Sequence, residues 1–249
     1  MHKLEYAQKD AREWGIKMIK TLMYMEVKKN PLKFHFVGLL AANFIIFLLS
    51  IFTSSILTIS EDIFVLTGLP SVQLDTITLA TMLIRAMLIV WEAVLISIFI
   101  IEEYRNKTIG LLFTYPVSRK KLIIAKLFLI CGTILIFNIL SSIFQYVCIF
   151  FVSKYLSFVT FSFMDIGIHI VIMISSILLG LLPLYIGMIK KSTIATIVSS
   201  VVLVAIAVNS QGSNAGLMSI PIVAIIFASI GVIFSAITIN KMISSDLSN

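Results

Sequence analysis

Charge is scarce in this chain: only 12% of its 249 residues are Asp, Glu, Lys or Arg, while 59% are hydrophobic. A soluble domain carries roughly 25% charged residues and under half apolar ones, so this composition excludes an ordinary water-soluble fold. Histidine and cysteine are scarcer still, at 3 and 2 residues. Cys131 and Cys148 fall in one apolar block, where helical rise separates them by roughly 25 Å, so they cannot pair with each other there and they suggest no metal. The third shortage is acidic residues, 12 against 19 basic ones, for a net charge of +7. That excess could suggest nucleic acid, but the cations cluster in short segments between apolar blocks and not along one face, so no nucleic-acid partner is expected.

What is abundant is apolar sequence in blocks of 16 to 31 residues, and about 20 are enough to cross a bilayer. Six helical spans are expected, at 36–59, 77–101, 122–152, 166–189, 193–208 and 217–239. Lipid offers no partner to a free peptide group, so each must be helical. The fourth and fifth nearly abut at Lys190-Lys191-Ser192, where a tight turn is expected. A charge-rich stretch of 35 residues precedes the first block and no small-residue cleavage site follows it closely, so it is expected to stay in the membrane.

Orientation follows from the basic residues, which favour the cytoplasmic side. Placing the N-terminus inside puts 17 of the 19 cations in the cytoplasm and leaves Lys154 alone in the outer loops, together with Glu61, Asp62, Asp75 and Asp165. The expectation is a multi-pass plasma-membrane protein with both termini cytoplasmic. Ahead of the first span, Leu4, Ala7, Ala11, Trp14, Met18, Leu22 and Met25 recur at steps of three and four, with lysines on the other faces. Such a pattern predicts an amphipathic helix over 1–30, either lying on the membrane surface or packing on its own protein.

Two places carry candidate chemistry. Inside span 2, Arg85 and Glu92 lie seven residues apart on one helical face, roughly 10 Å along the axis. An ionised group at that depth costs at least about 2.5 kcal/mol, so the two are expected to form an interhelical charged pair or to line a substrate route. Asn43, Asn138, Gln145 and His169 read as interhelical glue, and Ala224, Ala228, Gly231 and Ser235 with Thr196, Ser199 and Ser200 as close-packing positions. Pro183 is expected to kink span 4, and Pro221 either to kink span 6 or to sit in its first turn. Aromatic residues around the end of span 3, among them Phe150, Phe151 and Tyr155, read as an interfacial belt.

The second place is the basic loop at 102–126. Tyr104, Ile109, Leu112 and Phe113 form an apolar face that predicts a short interfacial helix; Pro116 stops it, and Ser118 caps a helix that continues through span 3. Three cations then follow the cap, Arg119, Lys120 and Lys121, where they oppose the helix dipole. Topology and lipid headgroups explain them, and so does an acidic docking partner.

The order of residues in this loop, Glu103, then Thr108-Ile109, Leu111-Leu112, Pro116-Val117-Ser118-Arg119 and Lys126, resembles the signature loop of ABC-2 type transporter permeases. Lys107 and Ala125 stand where that family has glycine. The resemblance implies an all-α membrane protein, with residues 1–249 forming a single six-span ABC-2 type domain and the loop acting as a cytoplasmic coupling helix. It further implies a second copy or a related permease as partner, and a separate ABC ATPase that holds the ATP and Mg; none is expected in this chain. Its one stretch like a phosphate loop, Gly187 to Thr193, lacks the second glycine. Glu103, Arg105, Thr108, Ile109, Leu112, Pro116 and Arg119 are the residues expected to meet the ATPase. Small permeases of this layout resemble exporters of amphipathic peptides, including phenol-soluble-modulin toxin exporters of staphylococci and antimicrobial-peptide immunity systems.

Two other classes compete. A secondary transporter or channel could use Arg85 and Glu92. An intramembrane protease of the CAAX type would use the paired Glu102-Glu103, but the arginine falls at 105 with Lys107 in its expected place, and His35 and His169 are isolated.

Overall fold

The computed structural model describes residues 32–67, 75–106, 119–161, 165–208 and 216–245. The amphipathic segment 1–30, the loop residues Thr108, Ile109, Leu112, Pro116 and Ser118, and the side chain of Arg119 lie outside the described residues.

Every regular element among the described residues is helical: α1 (Leu32–Thr67), α2 (Thr76–Ile96), α3 (Glu102–Arg105), α4 (Arg119–Ser153), α5 (Ile166–Leu179), α6 (Leu182–Lys190), α7 (Thr193–Ala207) and α8 (Pro221–Ser245). A π-helical turn, Ser97–Ile101, joins α2 to α3, and a 3-10 turn, Leu217–Ser219, precedes α8. Five stretches are long and apolar enough to cross a membrane: Lys33–Leu57, Thr76–Arg105, Leu122–Ser153, Ile166–Lys190 and Pro221–Met242. α7 is apolar but only 15 residues long.

α2 is the hub, with 67% of its most apolar window buried against 22% for α1. α1, α4, α5 and α7 pack around it, and α8 lies along α5 and α6. The outer faces of α1, α4, α7 and α8 expose large apolar side chains such as Phe34, Phe128, Ile194 and Ile222. A surface like that would aggregate in water, but lipid solvates it.

Since lipid tails are as apolar as leucine, close approach and polar bonds hold such helices together. Gly231 provides the first: a Cβ there would run into the Leu178 carbonyl, so glycine lets α8 lie directly on the α5 backbone. Ala224, Ala228 and Ser235 are buried along the same helix, and Thr196 and Ser200 are buried on α7, in keeping with the packing role read from their spacing. Asn43 provides the second: its side-chain amide donates to Ser141 Oγ at 2.8 Å and its backbone carbonyl accepts from Gln145 Nε2 at 2.8 Å, tying α1 to α4.

The turn expected at Lys190-Lys191-Ser192 is present. Lys191 takes a left-handed conformation, φ 46 and ψ 40, and the Ser192 hydroxyl caps α7 by accepting from Ala195 N at 3.4 Å. Span 4 does break, but at Gly180-Leu181, with Pro183 inside the first turn of the new helix. Pro221 is the first residue of α8, where its missing N–H costs nothing.

Candidate functional site

At the end of α2 the helix takes in one extra residue per turn over Ser97–Ile101, and Glu102 N donates to Ser97 O across that wider turn. Such a turn loosens the ladder of carbonyls, and here neighbouring helices use it. Lys126 of α4 donates to Phe99 O at 3.1 Å and forms an ion pair with Glu103. From the other side, the Ser97 hydroxyl donates to the Thr193 carbonyl at 3.4 Å, where α7 begins. Glu103 is 6% exposed, so this is a pair withdrawn from water on a bent piece of backbone. It closes the base of the loop whose ends are α3 and α4.

The expected loop residues therefore separate. Glu103 is buried and faces its own protein, whereas Arg105 and the neighbouring Glu102 are exposed. α3 holds only Glu102–Arg105, so the short helix read through Leu112 is described for its first turn alone.

Of the two roles expected for Arg85 and Glu92, a charged pair or a substrate route, the first is not formed: the two side chains do not bond each other. Seven residues place them on one face but two turns apart, and each turns to a different neighbour. Arg85, 5% exposed, donates from Nε to Thr81 O at 3.2 Å, from Nη2 to Thr81 Oγ1 at 3.4 Å, and from Nη1 to Ser219 Oγ at 3.4 Å. Beside it lies a cavity of about 10 Å³ lined by Asn138, Ser142 and His169, just large enough for one water. His169, which reads in sequence as a lone polar residue, stands in this polar group and edge-on to Tyr146 at 6.1 Å.

Glu92 is fully buried, and neither carboxyl oxygen has a hydrogen-bond partner among the described residues. Its carboxyl lies against Gly180, the residue at which α5 ends, and fills the space a Cβ there would occupy. A polar group buried without a partner costs several kcal/mol, so Glu92 is costly to hold at this helix break. Composition could flag Glu92, but only the fold shows what it faces.

The glutamates and histidines of the protease alternative do not converge. His35 Nδ1 accepts from the Trp91 indole at 3.2 Å, far along the chain from Glu103, and among the described residues no three of His, Cys, Asp and Glu meet as a metal site.

No family model and no solved structure matches the chain. It is 34% identical over 169 residues to "Uncharacterized protein YcbO" of Bacillus subtilis (strain 168), an alignment that takes in 66% of this chain and 74% of that relative. This chain, a helical bundle with five helices of membrane length, therefore belongs to the same family as YcbO.

Proposed function

We propose that this chain is the membrane-spanning subunit of an ATP-driven exporter of the ABC-2 type, with α7 as a sixth, short span. The observation that carries the reading is the Glu103–Lys126 pair on the π-helical turn. These are the first and last residues of the signature-like loop, and their pairing favours a loop held as one lever against α2 and α4. A docking helix needs that rigidity to pass motion into the spans.

In this reading the N- and C-termini lie in the cytoplasm of a bacterial cell, and a separate ATPase docks on Arg105, Thr108, Ile109, Leu112, Pro116 and Arg119. Two permease subunits, identical or related, enclose a cleft. ATP closure of the ATPases pushes the loops, and the cleft switches access. The exposed apolar faces suit an amphipathic peptide that enters from the membrane. Co-purifying the chain with a candidate ATPase and measuring hydrolysis in vesicles tests this. Stimulation lost in Arg105→Glu and Arg119→Glu is expected; hydrolysis indifferent to the permease would reject the reading.

Unpartnered Glu92 at the α5–α6 break favours a second reading, a secondary transporter, because such carriers place ionisable groups at interrupted helices. Transport that survives ATP depletion but stops when ion gradients are collapsed would select it.

A further inference from the structure

At the same end of the bundle as the Glu103–Lys126 pair, a pocket of about 280 Å³ opens between α3, α6 and the last turns of α8. Its rim carries Lys191 and Lys241, and its walls are Tyr104, Tyr185, Met188 and Met242. We propose that this pocket binds the phosphate headgroup of an anionic phospholipid, with the start of an acyl chain laid along its apolar wall.

Three observations select this occupant. First, the rim is cationic, carrying Lys191 and Lys241, and Glu103, next to Tyr104, is committed to Lys126. Second, Lys191 occupies a left-handed position, φ 46, that glycine would fill without strain. Lysine stands there instead, and its ammonium lies 5.8 Å from the centre of the Tyr104 ring. Third, the pocket sits where three helices end, the level at which a spanning bundle meets headgroups. Ile189, half exposed beside it, and the Tyr185–Phe234 ring contact at 4.9 Å continue the wall toward the middle of the bundle. A soluble anion would use the lysines and leave that wall idle; a lipid uses both.

The test uses the purified full chain, stripped of lipid and then incubated with equal amounts of phosphatidylglycerol and phosphatidylcholine of identical acyl chains, with retained lipid counted by native mass spectrometry. Wild type is expected to retain phosphatidylglycerol preferentially, and the preference is expected to fall about fivefold for each of Lys191→Ala and Lys241→Ala. Lys154→Ala is the matched control, since Lys154 is exposed and also lies over an aromatic ring, Phe150, at 4.5 Å. It is expected to change nothing. Equal retention of both lipids by wild type, or a preference untouched in Lys191→Ala/Lys241→Ala, would overturn the proposal. So would displacement of bound phosphatidylglycerol by millimolar inorganic phosphate, which would make this a site for a free anion, or by an acidic peptide, which would make it a protein-docking site. Far-UV circular dichroism of the variants separates these outcomes from unfolding.

Discussion

Two side chains carry the sharpest consequences at the scale of single residues. Lys126 neutralises Glu103 inside the protein and also satisfies a carbonyl freed by the π-helical turn. Lys126→Ala would leave a buried carboxylate without its cation and is expected to cost on the order of 3 kcal/mol, while Glu103→Gln/Lys126→Met should recover much of that loss. Thermal unfolding in detergent measures both, and additive effects would show that the pair is not coupled. Gly180 and Glu92 share one small volume. Gly180→Ala is expected to destabilise by about 1–3 kcal/mol through overpacking, and Glu92→Ala in the same chain should restore stability by vacating the space. A Gly180→Ala variant as stable as wild type would mean that the break is loose enough to absorb a methyl group. Neither relation was legible in sequence. Glu103 and Lys126, 23 positions apart, have no helical spacing that pairs them, and the spacing of Arg85 and Glu92 drew attention to a shared face while nothing in it points to Gly180.

Elements were far more legible than their contacts. Long apolar blocks placed the five membrane-length helices to within a few residues, because lipid leaves the backbone one solution, whereas the sixth expected span, 193–208, is a helix of only 15 residues. The turn at Lys190-Lys191-Ser192 was readable because two apolar blocks nearly abut there, and the structure adds that Ser192 caps the following helix. The π-helical turn was invisible: Ser97-Ile98-Phe99-Ile100-Ile101 holds no glycine or proline, and only Lys126 and Thr193 reaching in from other helices give the wider turn its partners. Pro183 announced a break in span 4 but not its place, since Gly180, three residues earlier, is where Glu92 presses in. Lys191→Gly tests the balance at the tight turn. Relief of the left-handed strain is expected to raise stability by about 0.5–1 kcal/mol, with the phosphatidylglycerol preference lost. A destabilised Lys191→Gly variant would show that the lysine side chain holds the turn.

For the whole molecule, the distribution of cations makes a claim about sidedness that chemical labelling can check. In a background where Cys131 and Cys148 are replaced by serine, single cysteines substituted for Lys154 and Lys191 should label from opposite sides of the membrane. Position 154 is expected to react with an impermeant maleimide in intact cells and position 191 only after permeabilisation. The reverse pattern would invert the topology, remove the loop at 102–126 from the cytoplasm, and with it the proposed ATPase.

The brevity of α6 and α7 bears on how the chain enters the membrane in the first place. At helical rise the 15 residues of α7 reach roughly 22 Å, short of a hydrocarbon core of about 30 Å, and only Lys191 and Ser192 separate it from α6. A segment of that length is a poor stop signal when it leaves the ribosome alone. Its buried threonine and serine, Thr196 and Ser200, lower its apolarity further until another helix covers them. Biogenesis is therefore expected to deliver α5, α6 and α7 together: a ribosome stalled before α7 emerges would hold a fourth crossing of full length, α5 with α6, still waiting for the short helix that packs on it.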